Sequence, residues 1–376
     1  MEVKIVLGYT FGDEGKGVTV QWLCKKAIEE GKKPIVVRFS GGPNAGHTVN
    51  HNGIEHICSS FGSGTLLGVP TMLYDSVYID PISLVKEYDV LMSKGIKPEI
   101  SISGRNRVIT PVDVLAGVSD KKVLKDGTCG KGLYPTFKRY QSRSEIQHTS
   151  MFLGLDSGPE TIFNEALEFH KPDVIQCKEE FFNACKRLKE ITKVKGSTWS
   201  EGYDVIIFEG SQGLLLDMDC GFYPNVTPSR VGLNGIKPQY LKDAEVYLVT
   251  RTYTTRHGNG YTPKYNLGID LSKKHETNIT NEFQGEFKVG ALEIDLLNRA
   301  TERHRIDNYV SRFGCKLKLM VTHMDVVANS RVFVYYERGE RNVIKKPFTP
   351  RDIVEVIASR LNVKVDDVAY YSNSIY

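Results

Sequence analysis

The run Gly8-Tyr-Thr-Phe-Gly12-Asp13-Glu14-Gly15-Lys16-Gly17 sets two carboxylates and one amine among four glycines. Lys16 offers a point charge for phosphate, and a carboxylate beside it suits a Mg²⁺ ligand or a base that removes a proton. Glycines let the backbone approach a ligand without Cβ atoms in the way. The run follows an apolar segment, residues 3–7, and precedes Val20, Leu23, Cys24, Ala27 and Ile28 at helical spacing. Strand, glycine-rich turn and helix aim backbone N–H groups at an anion. A Walker loop, G-x-x-x-x-G-K-[ST], is excluded. Thr10 stands where its first glycine belongs, and Gly17 where its Mg²⁺-binding hydroxyl belongs. What remains is a phosphate loop of another kind or a tight turn with a solvated lysine.

Further loops set chemistry at strand ends. Pro34-Ile-Val-Val-Arg-Phe39 reads as a buried strand, left by Gly41-Gly-Pro-Asn44-Ala-Gly46-His47-Thr48. Two glycine-rich loops after successive strands fit binding along one edge of an open parallel sheet. His47 is a candidate acid or base, against the plainer reading of a surface loop residue. The loop Gly127-Thr128-Cys129-Gly130-Lys131-Gly132 and the cations Lys138, Arg139 and Arg143 suit phosphate, or simply form a solvated face. Asp204-Val-Ile-Ile-Phe208 reads as a buried strand with Glu209-Gly-Ser-Gln212-Gly213 as its exit loop. Gln212 matches an amide-like base edge or the backbone of its own turn. Tyr223-Pro-Asn-Val-Thr227-Pro-Ser-Arg230 is rich in donors.

The elements that carry these loops follow an α/β rhythm. Residues 66–110 alternate strand-like and helical pieces, with Pro81 placed to open a helix. Residues 160–170 and 179–194 are amphipathic, which predicts a helical insertion over about 150–200. A strand at 246–250 runs into Thr254–Gly260, residues 291–304 have helical spacing, and 317–322 is a strand ahead of His323-Met-Asp325. A hairpin turning at Arg338-Gly339 and a helix over 350–361 complete the chain. The expectation is one α/β domain over 1–376: a mostly parallel central sheet flanked by helices, with inserted helical and hairpin pieces.

Composition excludes several classes. A net charge of +4 over 376 residues gives no reason for a nucleic-acid partner, and no apolar run is long enough to span a membrane. Seven cysteines without paired spacing predict reduced thiols, with Cys24, Cys177 and Cys185 in the core. No secretion signal opens the chain, so a cytoplasmic location is expected, in the host cytoplasm for a viral protein.

Taken together and in order, Gly12-Asp-Glu-Gly-Lys-Gly17, Asn44-Ala-Gly-His-Thr48, Gly127-Thr-x-Gly-x-Gly132, Glu209-Gly-x-Gln-Gly213 and Tyr223-Pro-x-Val-Thr227 resemble the adenylosuccinate synthetase family. That resemblance implies a carbon–nitrogen ligase of purine nucleotide biosynthesis with an adenylosuccinate synthetase-like, P-loop-related fold. Such enzymes phosphorylate the 6-oxygen of inosine monophosphate (IMP) with a nucleoside triphosphate, and aspartate then displaces the phosphate. By the same resemblance, Asp13 is the base that takes the N1 proton and, with the Gly46 carbonyl, a Mg²⁺ ligand. His47 stabilises the transferring phosphoryl group, and Lys16 contacts the phosphates. The triphosphate site comprises Gly12, Glu14, Gly15, Lys16, Gly17, Gly46, His47, Thr48 and Asp325. The monophosphate site comprises Asn44, Thr128, Cys129, Arg143, Gln212, Thr227 and Arg256. The family also implies a homodimer in which Arg143 reaches the neighbour's site.

Departures from the family pattern are equally specific. Cys129 replaces a phosphate-binding threonine. The arginine-rich aspartate loop is replaced by Asn281-Glu-Phe-Gln-Gly-Glu-Phe-Lys288-Val-Gly-Ala-Leu-Glu293, which leaves Lys288 for aspartate. Lysine is a point charge where arginine makes a bidentate fork. Thr322-His-Met-Asp325 stands for the guanine-reading Thr-Lys-x-Asp, so ATP and GTP both stay open. Short viral relatives use dGMP to make 2-amino-adenylosuccinate, and they commonly replace the catalytic aspartate. Asp13 favours IMP, while the altered loops favour dGMP. A non-catalytic nucleotide sensor is the other alternative, opposed by Asp13, Lys16 and His47 together. A P-loop kinase or GTPase is opposed by Gly17.

Overall fold

The structure is a computed structural model that describes residues 1–126, 128–142, 158–267 and 285–370. β1 (Glu2–Gly8) and α1 (Lys16–Glu29) open the chain, with Gly15 at φ 89° supplying the left-handed entry to the helix. β2 (Pro34–Arg38) and the hairpin β3 (His47–His51) and β4 (Ile54–Cys58) follow. Next come β5 (Thr71–Leu73), β6 (Tyr78–Ile79), α2 (Pro81–Ser93), β7 (Ile100–Ile102) and β8 (Arg107–Val108). Pro81 does open α2, and the Asp80 carboxylate accepts from the N–H groups of Ile82 and Ser83. α3 (Pro111–Ser119), α4 (Lys121–Asp126) and α5 (Leu133–Gln141) flank the 128–132 loop.

The insertion contains α6 (Pro159–His170) and α7 (Lys178–Ile191), but helical spacing overran its end. Thr192 and Val194, both suited to strands, sit in β9 (Thr192–Val194), which pairs with β7 at the sheet edge. The second half runs through β10 (Val205–Gly213), β11 (Glu245–Arg251), β12 (Tyr253–His257) and β13 (Phe287–Glu293). Residues 291–293 finish β13 instead of beginning a helix. α8 (Ile294–Arg303), α9 (Ile306–Phe313), β14 (Lys316–Thr322) and α10 (Met324–Ser330) come next. The expected hairpin is β15 (Val332–Glu337) and β16 (Glu340–Lys345), with Arg338 and Gly339 both at positive φ. α11 (Pro350–Ala358) and β17 (Asp367–Tyr370) close the described chain.

Among the described residues, nine strands form one sheet in the order β17-β14-β11-β1-β10-β2-β5-β7-β9, and every pairing is parallel. Parallel sheets are buried on both faces, and the strands show it. Ile5, Leu7, Ile206, Phe208, Val246 and Leu248 join one core. Val6, Val205, Ile207, Tyr247 and Val249 face the other, beneath Val20, Leu23 and Cys24 of α1. A further core gathers α2, α6 and α7 around Phe163, Phe181 and Leu188. A second sheet, β12-β13-β15-β16, stands beside the first. No described helix is long and apolar enough to cross a membrane. Cys24 and Cys185 are buried as expected, but Cys177 is exposed ahead of α7.

The 128–132 loop rests on a buried ion pair. Arg139 donates through Nε to Asp113 Oδ1 at 2.9 Å and through Nη2 to Asp113 Oδ2 at 2.8 Å, with both side chains fully buried. His170, at the end of α6, lies 2.9 Å from the same carboxylate. Arg139 therefore holds structure and is not part of a solvated face. Burial would raise the Asp113 carboxyl, but Arg139, His170 and the Thr110 N–H outweigh it and hold it at about 2. A depressed carboxylate stabilises the fold above its unfolded value of about 4 and loses that contribution as pH falls towards 2. Asp113→Ala, which strands the Arg139 charge, is expected to cost about 3–5 kcal/mol. Urea unfolding at neutral pH, compared with the native chain, checks this.

Candidate active site

The loops that leave β1, β2, β10, β11 and β14 meet at the C-terminal edge of the sheet, where open α/β sheets bind ligands. The turn after β1 is fixed from several sides. Leu215 N–H donates to Thr10 O at 2.8 Å, Thr255 Oγ1 donates to Gly12 O at 3.2 Å, and Arg251 Nε donates to the carbonyl of Asp13. Asp13 takes φ 57°, a left-handed conformation that aspartate tolerates better than most side chains. Its carboxylate stays half-buried at the edge of the site. Glu14 points inward instead. Its Oε1 accepts from Thr10 N and Oγ1 at 2.5 and 2.7 Å, and Oε2 is buried without a hydrogen-bond partner. Burial pushes Glu14 up to about 7 against the pull of Lys16. Lys16 is itself buried, and desolvation lowers its ammonium while Glu14, Asp13 and Glu209 oppose the shift. Thr322 Oγ1 donates to Glu14 O at 2.8 Å, and a Cβ at Gly15 would lie 2.8 Å from the Thr322 methyl.

His47 is no surface loop residue. It begins β3, is buried, and lies against the first turn of α1, where a Cβ at Gly17 would be 2.9 Å from its own Cβ. Its Nδ1 is 2.6 Å from Glu209 Oε1 and its Nε2 is 3.3 Å from Ser211 O. Both ring nitrogens thus face acceptors, an arrangement that only the imidazolium can fully use. Glu209 also accepts from the Ser63 N–H at 3.0 Å and from the Ser63 hydroxyl. Burial opposes its charge, but His47, Arg38 and Ser63 together hold it at about 2. Burial likewise draws His47 below its ordinary value, with Glu209 pulling the other way. Ser211 reaches His47 because β10 bulges: Val6 pairs with Glu209, yet Gly8 pairs with Gly213. What the sequence suggested was an exit loop is a bulged strand. Glu209, Ser63, Ser211 and Arg38 were not singled out beforehand. The available signal was a charged residue at the end of two apolar strand segments, Arg38 and Glu209.

The residues expected at the monophosphate carry polar atoms that the protein leaves unsatisfied. Gln212 Oε1, Thr227 Oγ1 and Arg256 Nη1 are each buried without a partner. Buried polar groups are nearly always paired, so these three atoms, on β10, β12 and the loop that carries Thr227, are free to take a ligand. Asp325 Oδ1, in the first turn of α10, is unsatisfied in the same way. Asn44 turns back to accept from the Gly42 N–H at 3.2 Å, and Thr128 Oγ1 accepts from the Gly130 N–H at 3.1 Å. Cys129 is half-buried with its thiol raised by burial. Lys288 lies opposite Arg256 in the β12–β13 pair and donates to Thr262 Oγ1 at 3.3 Å. Arg143, Gly127 and residues 281–284 lie outside the described residues.

Asp13 and the exposed backbone of Gly46, just ahead of His47, flank the start of α1. They offer oxygen donors only, a set that suits Mg²⁺. Two other groups of possible ligands are taken up by the protein. In His56–Cys58–Glu87, the carboxylate accepts from the N–H groups of Ser59, Ser60 and Phe61. In Asp217–Cys220–His304, Asp217 accepts from the N–H groups of Asp219, Cys220 and Val231.

Comparison with known proteins identifies the family and the fold. The adenylosuccinate synthetase family model matches residues 5–358. The adenylosuccinate synthetase of Haloarcula marismortui is 29% identical, over 87% of this chain and 79% of that relative. Fully ligated adenylosuccinate synthetase from Plasmodium falciparum shares the fold with a TM-score of 0.72 at 19% identity, over 98% of this chain and 97% of that one. The succinoaminodeoxyadenylate synthetase of cyanophage S-2L gives 0.61 at 17% identity, over 96% and 99%. With a match that spans nearly its whole length, the chain belongs to the adenylosuccinate synthetase family of carbon–nitrogen ligases.

Proposed function

We propose that this ligase condenses L-aspartate with the 6-oxo position of IMP through a 6-phosphoryl intermediate formed from ATP or GTP. The observation that carries the reading is Asp13, held on its left-handed turn at the start of α1 with Lys16 and Arg256 close by. Asp13 takes the N1 proton, and the 6-oxygen becomes nucleophilic enough to attack the γ-phosphate. Lys16 holds the phosphates at the start of α1. His47, backed by Glu209, neutralises charge on the transferring group and returns a proton. Positioning and charge neutralisation supply most of the rate in phosphoryl transfer. Mg²⁺, held by Asp13 and the Gly46 carbonyl, supplies charge neutralisation at the phosphates when bound. Gln212, Thr227 and Arg256 hold the monophosphate, Asp325 reads the base of the triphosphate, and Lys288 pairs with a carboxylate of aspartate. A homodimer in which Arg143 reaches the neighbouring site, in the cytoplasm, belongs to the same reading.

A second acceptor has its own support. The cyanophage S-2L protein is described bound to dGMP and dATP, and the 281–293 segment of this chain lacks the arginine-rich loop. Phosphate release with Mg²⁺, aspartate and ATP or GTP, offering IMP and dGMP side by side with product mass as readout, separates the two. Turnover with IMP is the expected outcome; turnover with dGMP alone would replace it.

Two substitutions test the roles. Asp13→Asn keeps the shape and the turn but removes the base, and is expected to lower turnover by about 10²–10⁴-fold with nucleotide binding kept. Near-native turnover would sink the assignment. Glu209→Gln removes the carboxylate that raises the His47 pKa. An acid must be protonated to act, so activity falls as pH rises through the His47 value. The variant should therefore move the alkaline limb of the kcat profile to lower pH, which a pH series reads directly.

A further inference from the structure

Phe11 is buried in the phosphate loop two residues before Asp13, yet no step of the reaction uses it. Its surroundings are unusual for a core ring. The guanidinium carbon of Arg256 lies over it, 4.9 Å from the ring centre. Tyr261 stacks on the same ring at 5.3 Å and 17°, and Phe222 meets it edge-on at 5.8 Å. The shelf is braced from behind, because the Tyr261 hydroxyl donates to Glu293 Oε2 at 2.6 Å.

Arg256 is tied along one edge and bare at the other. Nε and Nη2 donate to Asn259 O at 3.1 and 2.5 Å, and Nη2 reaches Asn225 O at 3.4 Å. Nη1 has no partner, although the residue is only 5% exposed. Backbone carbonyls hold the edge of the guanidinium, and a ring against its face restrains its plane further. Burial lowers Arg256 to about 10, with the nearby Asp13 charge opposing. The group thus lies between the Asp13 loop and the 225–227 loop that carries Thr227.

We propose that Phe11 is a positioning residue, its ring fixing the plane of Arg256 so that the free Nη1 meets an oxygen of the bound purine monophosphate. This rests on the monophosphate reading given above. A leucine fills similar space without a π-face, so packing and cation–π support can be told apart.

The test is a double-mutant cycle read by equilibrium binding. Calorimetry would measure IMP, dGMP and Mg²⁺–GTP or Mg²⁺–ATP against the native chain, Phe11→Leu, Phe11→Tyr, Arg256→Lys and the Phe11→Leu/Arg256→Lys double variant. Phe11→Leu is expected to weaken the monophosphate about tenfold and the triphosphate by less than about twofold, with no further monophosphate loss when added to Arg256→Lys. Phe11→Tyr should bind as the native chain does. Native affinity in Phe11→Leu, or losses that multiply in the double variant, would overturn the proposal. Should Phe11→Leu not fold, Tyr261→Leu removes the shelf from behind and enters the same cycle. A native chain that binds neither IMP nor dGMP overturns the functional reading, and the role of Phe11 falls with it, before any variant is compared.

Discussion

Glu209 is a fully buried carboxylate, and the site is arranged to keep it charged. Desolvating an ion costs several kcal/mol unless partners surround it. Here they are the Ser63 N–H and hydroxyl, the His47 ring and the neighbouring Arg38, which stands beside Glu209 across the β2–β10 pair. Arg38 in turn gives its donors to the carbonyls of Ala45 and Phe61. Two opposite charges on adjacent strands thereby fix both ends of the β3–β4 hairpin. His47 is held in place by the same bonds that bias its protonation, so position and chemistry cannot be altered separately.

The same economy of water runs through the rest of the cleft. Lys16, Glu14 and Arg256 are all buried, and Glu14 Oε2 and Arg256 Nη1 have no hydrogen-bond partner. Charges in such surroundings act more strongly on a bound anion than surface charges do. They also make the protein poorer without its ligand, since unsatisfied buried atoms cost stability. The aromatic residues beneath Arg256 and the hydroxyl of Thr322 show how the fold keeps these groups ordered. Each is anchored to a strand or loop at the C-terminal edge of the sheet.

Much of this could be read from the chain alone. Apolar runs ending in glycine-rich loops placed β1, β2 and β10, and apolar runs alone placed β11 and β14, because a strand buried on both faces leaves a continuous apolar signature. Local signals placed α2 through Pro81 and the hairpin through Arg338-Gly339. What escaped depended on distant partners. Thr192–Val194 is a strand because β7 offers an open edge, and Arg139 is buried because Asp113 waits for it. Cys177 is exposed because it precedes a helix instead of lying within one. The bulge in β10 leaves no local mark beyond its glycines. Glu209 and Arg38 were visible as charges but not as partners, since the pairing of their strands spans most of the chain's first half.

That bulge has a consequence for how such a chain can vary. Between Glu209 and Gly213, β10 carries two more residues than β1 opposite, and a Cβ at Gly213 would collide with the Thr10 carbonyl. Side chains alternate along a strand, so gaining or losing one residue there turns everything beyond it to the other face. Ser211 would leave His47 and Gln212 would leave the cleft with every amino acid type intact. At this point the molecule stores its chemistry as a length as well as an alphabet, and a deletion would be more damaging than a substitution.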